Sequence, residues 1–267
     1  AAPLRATAGS LDAGSQEWGG RASMTELLDW FGATPDIAQK VGEHVRLSFL
    51  PVLGALAVAL PVGLYIGHYR RFEFFAVTTA GLGRAIPSFA ILALALPISI
   101  ELGLGLGFWP TFAALFFLAL PPIVTNSYIG VKSVDPDTVE SARGMGLSER
   151  QILGGIELPL AAPLIIAGAR TAAVQSVATA TLAALVAGGG LGEYIRLGFR
   201  TGDDAPLLGG AIMVAVLAIV TELGFAVIER MARPRGAPRT PSAVEPLEEI
   251  SAFEIASART GRPGDSF

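Results

Sequence analysis

The chain has 267 residues with a net charge of −4, 52% hydrophobic residues, only 16% charged ones and no cysteine. Soluble domains carry roughly 25% charged residues, so this composition points to a membrane environment. The missing cysteines exclude disulfides, thiolate metal sites and a Cys nucleophile, and the charge pattern offers no basic face for nucleic acid.

In chain order, residues 1–23 are rich in Ala, Gly and Ser and lack the apolar core of a signal peptide. Met24 is the expected natural start, with a non-native extension before it. Residues 25–43 are expected to form a short amphipathic segment at the outer membrane surface. Uncharged runs then cover Leu47–Gly67, Leu102–Val131, Thr171–Gly192 and Ala205–Thr221. At about 1.5 Å per residue, a bilayer core takes about 20 helical residues. Three of the runs reach that length unaided, and the fourth does if Glu222 lies near the interface. A further stretch, Phe74–Ile100, is apolar except for Arg84 and is long enough to span even if broken near Pro87. The expectation is an all-α polytopic bundle of about five spans, at about 45–67, 74–99, 109–131, 161–187 and 206–228. These make up one membrane domain over 44–230. The abundant Gly (32) and Pro (18) suit helices that pack closely and bend. From 231 to 267 the tail is rich in Pro, Ser, Arg and Glu and is expected to be disordered.

Basic residues in short loops mark the cytoplasmic side. Arg70 and Arg71 follow span 1; Lys132, Arg143 and Arg150 follow span 3; Arg230, Arg233, Arg235 and Arg239 follow span 5. In a five-span chain these share one side, which puts the C-terminus in the cytoplasm and the N-terminus outside.

Between spans 3 and 4 lies a segment with clear start and stop signals. Asp135 can cap a helix whose first residue is Pro136, and Gly144-Met145-Gly146 ends it. Ser148 and Gln151 then form a capping box for a second short helix, expected to dissolve at Gly154-Gly155. From periodicity alone, this helix-turn-helix is either a docking element or an ordinary amphipathic connector.

The same segment resembles the "EAA" loop of ABC-importer permeases: Glu-Ala-Ala, a Gly four residues after the last Ala, and Ile-x-Leu-Pro after nine more residues. Here the matching residues are Glu140-Ser141-Ala142, Gly146 and Ile156-Glu157-Leu158-Pro159, with Ser141 the one departure. The resemblance implies a coupling helix seated in a groove of an ATPase subunit, with Glu140, Ser141, Ala142, Arg143, Gly146, Ile156, Leu158 and Pro159 at the contact. Gly146 would permit a sharp bend and close approach, and Glu140 and Arg143 would make charge-assisted contacts.

The resemblance extends over about 44–230. Ile86-Pro87-Ser88-Phe89-Ala90, Leu120-Pro121-Pro122-Ile123-Val124, Ala167-Gly168-Ala169-Arg170-Thr171-Ala172 and Ala178-Thr179-Ala180-Thr181-Leu182 are similar to permeases for glycine betaine, choline and carnitine. It implies two permease chains, same or similar, an ABC ATPase dimer that alone takes ATP and Mg, and an extracytoplasmic binding protein that delivers the solute. No cofactor is expected on this chain. An importer for another small solute, such as methionine, and an ATPase-independent channel or secondary transporter are the alternatives.

The translocation pathway is expected to involve Arg84, Pro87, Ser88, Arg170, Thr179 and Thr181. Arg84 stands where the family often has a neutral polar residue; it either lines the route or is tied to carbonyls freed by the Pro87 break. Arg170 is expected to form a structural or gating ion pair. His44 and Ser48 are read as interfacial packing rather than metal ligands, and Gly188–Gly192 as a flexible turn, because it lacks the Lys-Ser/Thr of a phosphate-binding loop. Trp109, Tyr128 and Phe89 could offer a cation–π surface, although an interfacial aromatic belt explains Trp109 more simply.

Overall fold

The computed structural model describes residues 23–72, 74, 78, 81 and 87–232. Among them the secondary structure is entirely helical. In chain order the helices are α1 (Met24–Ala33), α2 (Ile37–Tyr69), α3 (Ser88–Glu101), α4 (Phe108–Lys132), α5 (Pro136–Gly144) and α6 (Glu149–Ile152). A π-helical turn (Leu153–Glu157) follows, then α7 (Leu158–Thr179), a 3-10 segment (Ala180–Val186), α8 (Gly192–Thr201) and α9 (Asp204–Ala232).

Among the described residues, four stretches are long and apolar enough to cross a membrane: Ile37–Tyr69, Phe108–Lys132, Glu149–Val186 and Asp204–Ala232. They correspond to expected spans 1, 3, 4 and 5. Within expected span 2 the described helix is α3, whose 14 residues reach about 21 Å. Arg84 and most of the stretch before α3 lie outside the described residues, as do residues 1–22 and 233–267.

Helices α2, α4 and α7 meet in one core of Val52, Ala55, Ala59, Ile66, Ala119, Ile123, Val124, Tyr128, Ala172 and Ala173. The residues on α2 recur at helical spacing, which aims one stripe at its neighbours. Small residues let the axes close up, because helices in lipid associate through packing rather than hydrophobic exclusion. Gly63 is the tightest point on α2: a Cβ there would lie 2.6 Å from Ser127 Cβ and 2.8 Å from the Val124 carbonyl oxygen. One face of α9, with Val216, Ile219, Val220, Leu223 and Val227, is exposed among the described residues. Such a face belongs against lipid or another apolar helix.

Two expectations change. The second short helix does not dissolve at Gly154-Gly155. Neither glycine adopts the left-handed conformation that would cap it. The backbone instead widens into the π turn, where the Leu158 N–H donates to the Leu153 carbonyl, and runs straight into α7. Span 4 likewise ends as an α-helix at Thr179 and continues as the 3-10 segment to Val186. Helix α8 is an element the hydropathy of the sequence did not indicate.

Candidate functional site: the hairpin and its connections

The segment after α4 folds as the start and stop signals demand. Asp135 Oδ1 accepts from the Asp137 N–H at 3.1 Å, and Pro136 occupies the first turn, where its missing N–H costs nothing. Helix α5 ends in a Schellman motif. The Gly146 N–H donates to the Arg143 carbonyl (2.9 Å) and the Leu147 N–H to the Ala142 carbonyl (3.2 Å). Gly146 has φ +85, a conformation costly for any residue with a Cβ. Ser148 and Gln151 form the expected capping box of α6.

This backbone closes a small core of its own: Val134, Val139, Ala142 and Ile152 are buried, with Leu147 and Ile156 packed against them. The triplet Glu140-Ser141-Ala142 therefore splits. Ala142 points into that core at 1% exposure, whereas Glu140 and Ser141 face outward. Ser in place of Ala at 141 changes only an exposed surface. Gly146 is needed for the bend; the close approach expected of it does not occur within this chain, since nothing lies within 4 Å of a Cβ built there. Leu158 and Pro159 are exposed at the junction with α7, and Ile156 is half-buried.

Arg143 places its guanidinium fork on Glu149, Nε to Oε1 at 2.9 Å and Nη2 to Oε2 at 3.0 Å. That bidentate pair bridges α5 and α6 from the solvent side and pushes the Arg143 pKa above its ordinary value, chiefly through the hydrogen bond. Glu140 has no hydrogen bond or ion pair among the described residues and is left as an outward negative charge. Arg143, Glu149 and His68, the last at the end of α2, line one open cavity of about 390 Å³.

Arg170, on α7, reaches Glu222 (3.5 Å) and Glu229 (3.2 Å) of α9. This is the ion pair expected of it. Glu229 lies in the last turn of α9, so the pair sits in the half of the bundle next to the hairpin. Thr179 and Thr181 are half-buried where α7 passes into the 3-10 segment, and Thr181 Oγ1 donates to the Ala178 carbonyl at 2.9 Å. Pro87 caps α3 in an extended conformation, with Ser88 half-buried beside it. Tyr128 is buried, with Lys132 Nζ 5.4 Å from its ring centroid, while Trp109 and Phe89 are exposed on separate helices. The three aromatics do not form one surface.

At the opposite end, the glycine turn is held rather than loose. The Gly190 N–H donates to Glu43 Oε2 (3.0 Å) and the Leu191 N–H to His44 Nδ1 (3.3 Å). With Nδ1 accepting, Nε2 carries the proton and donates to the Val177 carbonyl at 2.9 Å. His44 is fully buried and satisfied by backbone on both sides, which makes it packing with a defined tautomer. Lys40 pairs with Glu193, and the Tyr194 hydroxyl donates to Asp36 Oδ1 at 2.8 Å. Burial, with the Asp36 contact second, raises the Tyr194 pKa, so the phenol keeps its proton. These pairs tie the start of α2 to α8.

Residues 59–234 match the family model described as "Binding-protein-dependent transport system inner membrane component". The chain is 35% identical over 201 residues to the Bacillus subtilis (strain 168) glycine betaine/carnitine/choline transport system permease protein OpuCB, covering 75% of this chain and 90% of that one. It is 36% identical over 204 residues to the choline permease protein OpuBB of the same organism, covering 76% and 92%. Against the Salmonella typhimurium (strain LT2) osmoprotectant import permease protein OsmW it is 32% identical over 200 residues, covering 75% and 93%. In fold it is similar to a chain of the inward-facing MetNI methionine ABC transporter, with a TM-score of 0.65 at 20% identity, covering 79% of this chain and all of that one. A match this long to the family model, joined to relatives above 30% identity along most of their length, shows that the chain belongs to the binding-protein-dependent transport inner-membrane components, the permease subunits of ABC importers.

Proposed function

We propose that this chain is the membrane subunit through which an ATP-driven importer moves glycine betaine, choline, carnitine or a related quaternary amine into the cell. The observation that carries the reading is the hairpin: a rigid, self-cored element that projects Glu140 and Ser141 outward and runs without a break into α7. The solute class rests on the names of the relatives.

Two such permease chains, same or similar, form the pathway by alternating access. A partner ATPase dimer binds ATP and Mg and seats the hairpin through Glu140, Ser141 and Gly146. Arg143 braces the hairpin across its solvent side, Ala142 and Ile156 pack it, and Leu158 and Pro159 form its junction with span 4. An extracytoplasmic binding protein delivers the solute at the α8 end. The N-terminus lies outside and the C-terminus in the cytoplasm, a reading supported by the Arg and Lys of the hairpin side. Arg84, Pro87, Ser88, Arg170, Thr179 and Thr181 border the route, with Arg170 acting through its pair with Glu222 and Glu229.

ATP-dependent uptake of labelled betaine, choline, carnitine and methionine into proteoliposomes, with ATPase and binding protein present, tests this. Uptake of a quaternary amine that stops without ATP and persists with ionophores is expected. Uptake indifferent to ATP would identify a channel or secondary transporter, and uptake of methionine alone would overturn the solute class.

A further inference from the structure

Helix α2 enters the hairpin's cavity from a different part of the chain. His68, in its last turn, is buried to 2% side-chain exposure between two carboxylates. Its Nδ1 lies 2.5 Å from Glu157 Oε2 in the π turn, and its Nε2 lies 3.1 Å from Glu149 Oε2 on α6. Glu149 is also the residue gripped by Arg143 of α5. A neutral imidazole offers one donor and one acceptor, whereas two carboxylates call for two donors. Donors on both ring nitrogens meet that demand, linking Arg143, Glu149, His68 and Glu157 across α5, α2 and the continuous helix of α6 and the π turn. The Tyr69 ring stands edge-on to the imidazole at 4.7 Å, and Arg70 and Glu140 line the same cavity.

The π turn makes this geometry possible. Glu157 follows Ile152 by five residues, the repeat of a π turn, so both point inward, and Glu157 is 4% exposed. An ordinary helical register would not place a carboxylate under the hairpin core there.

We propose that His68 is a positioning residue that locks span 1 to the hairpin, so that displacement of the hairpin by the ATPase moves α2 as well as the two helices the hairpin joins in sequence. Helix α2 is 33 residues, about 50 Å, and at its far end Glu43 and His44 hold the Gly188–Gly192 turn. One helix thus grips the hairpin at one end and the opposite-face turn at the other. This rests on the hairpin being the ATPase contact.

The test compares His68→Gln and His68→Lys with Glu140→Arg and Gly146→Ala in the complete reconstituted complex. Co-purification of the ATPase, ATP hydrolysis stimulated by binding protein, and solute moved per ATP are measured. His68→Gln is expected to keep co-purification and hydrolysis while solute moved per ATP falls roughly tenfold, the scale of a lost charge-assisted contact. His68→Lys, which keeps a cationic donor, is expected to recover part of the loss. Uncoupled hairpin variants beside a fully coupled His68→Gln would overturn the clasp alone. Normal coupling in the hairpin variants would overturn both readings. Failure of both His68 variants to assemble would make His68 a folding residue and would also overturn the proposal.

Discussion

Gly146 is where the hairpin is most exposed to a single change. Its φ of +85 closes the Schellman motif that ends α5, and the next residue, Leu147, packs on the hairpin core. Nothing lies within 4 Å of a Cβ built there, so Gly146→Ala meets no clash and its penalty is purely conformational. Placing an L-residue in the left-handed region costs about 1–2 kcal/mol, and Asn tolerates it better than Ala. A loss of that size shifts the population of the closed hairpin by a factor of roughly 5–30. Gly144→Ala is the matched control: Gly144 is the last residue of α5, with open space around it, and Ala there gains at most the about 1 kcal/mol of helix propensity seen in helix interiors. Amide hydrogen exchange of 135–157 in the purified complex should show faster opening for Gly146→Ala, a smaller effect for Gly146→Asn and none or a slowing for Gly144→Ala. Solute moved per ATP should fall in the same order. If Gly144→Ala proved as damaging as Gly146→Ala, or if Ala and Asn at 146 both matched the native protein, the conformational argument would be wrong.

The helix interfaces give two further expectations. Gly63→Val would drive a side chain into Ser127 Cβ and the Val124 carbonyl, where even a single Cβ sits at 2.6 and 2.8 Å. Overpacking of this kind costs typically about 1–3 kcal/mol, seen as a lower melting temperature in detergent, whereas Gly42→Ala, in open space, should not lower it. Arg170→Met leaves Glu222 and Glu229 without their shared cation. Because Arg170 is 29% exposed, the cost should fall below the about 3–5 kcal/mol of a fully buried broken pair. Adding Glu229→Gln should recover part of the lost thermal stability; no recovery would mean that the pair contributes little.

What the sequence made legible was local. The Asp135 cap, Pro136 at the first helical position, the Gly146 stop and the Ser148–Gln151 box each act over a few residues, and each forms as the residue types require. Uncharged runs likewise located four of the long helices. The π turn escaped because Gly154-Gly155 carries the same stop signal whether the backbone breaks or merely widens. The His68–Glu157 contact joins residues 89 apart, and the His44–Leu191 contact joins residues 147 apart. No period or spacing encodes such pairs, so a histidine in an apolar helix gives no sign of its partner until the helices pack. Helix α8 was hidden for another reason: Glu193, Arg196 and Arg200 interrupt any apolar run, although Tyr194 and Gly198, one turn apart, are buried on its inner face.

The most direct measurement is ATP hydrolysis by the full complex, reconstituted with its binding protein and offered betaine, choline, carnitine and methionine in turn. The account predicts that the chain co-purifies with an ATPase, that a quaternary amine on the binding protein stimulates hydrolysis, and that Glu140→Arg abolishes the stimulation without unfolding the bundle. No associated ATPase, or stimulation that survives a charge reversal at Glu140, would contradict it.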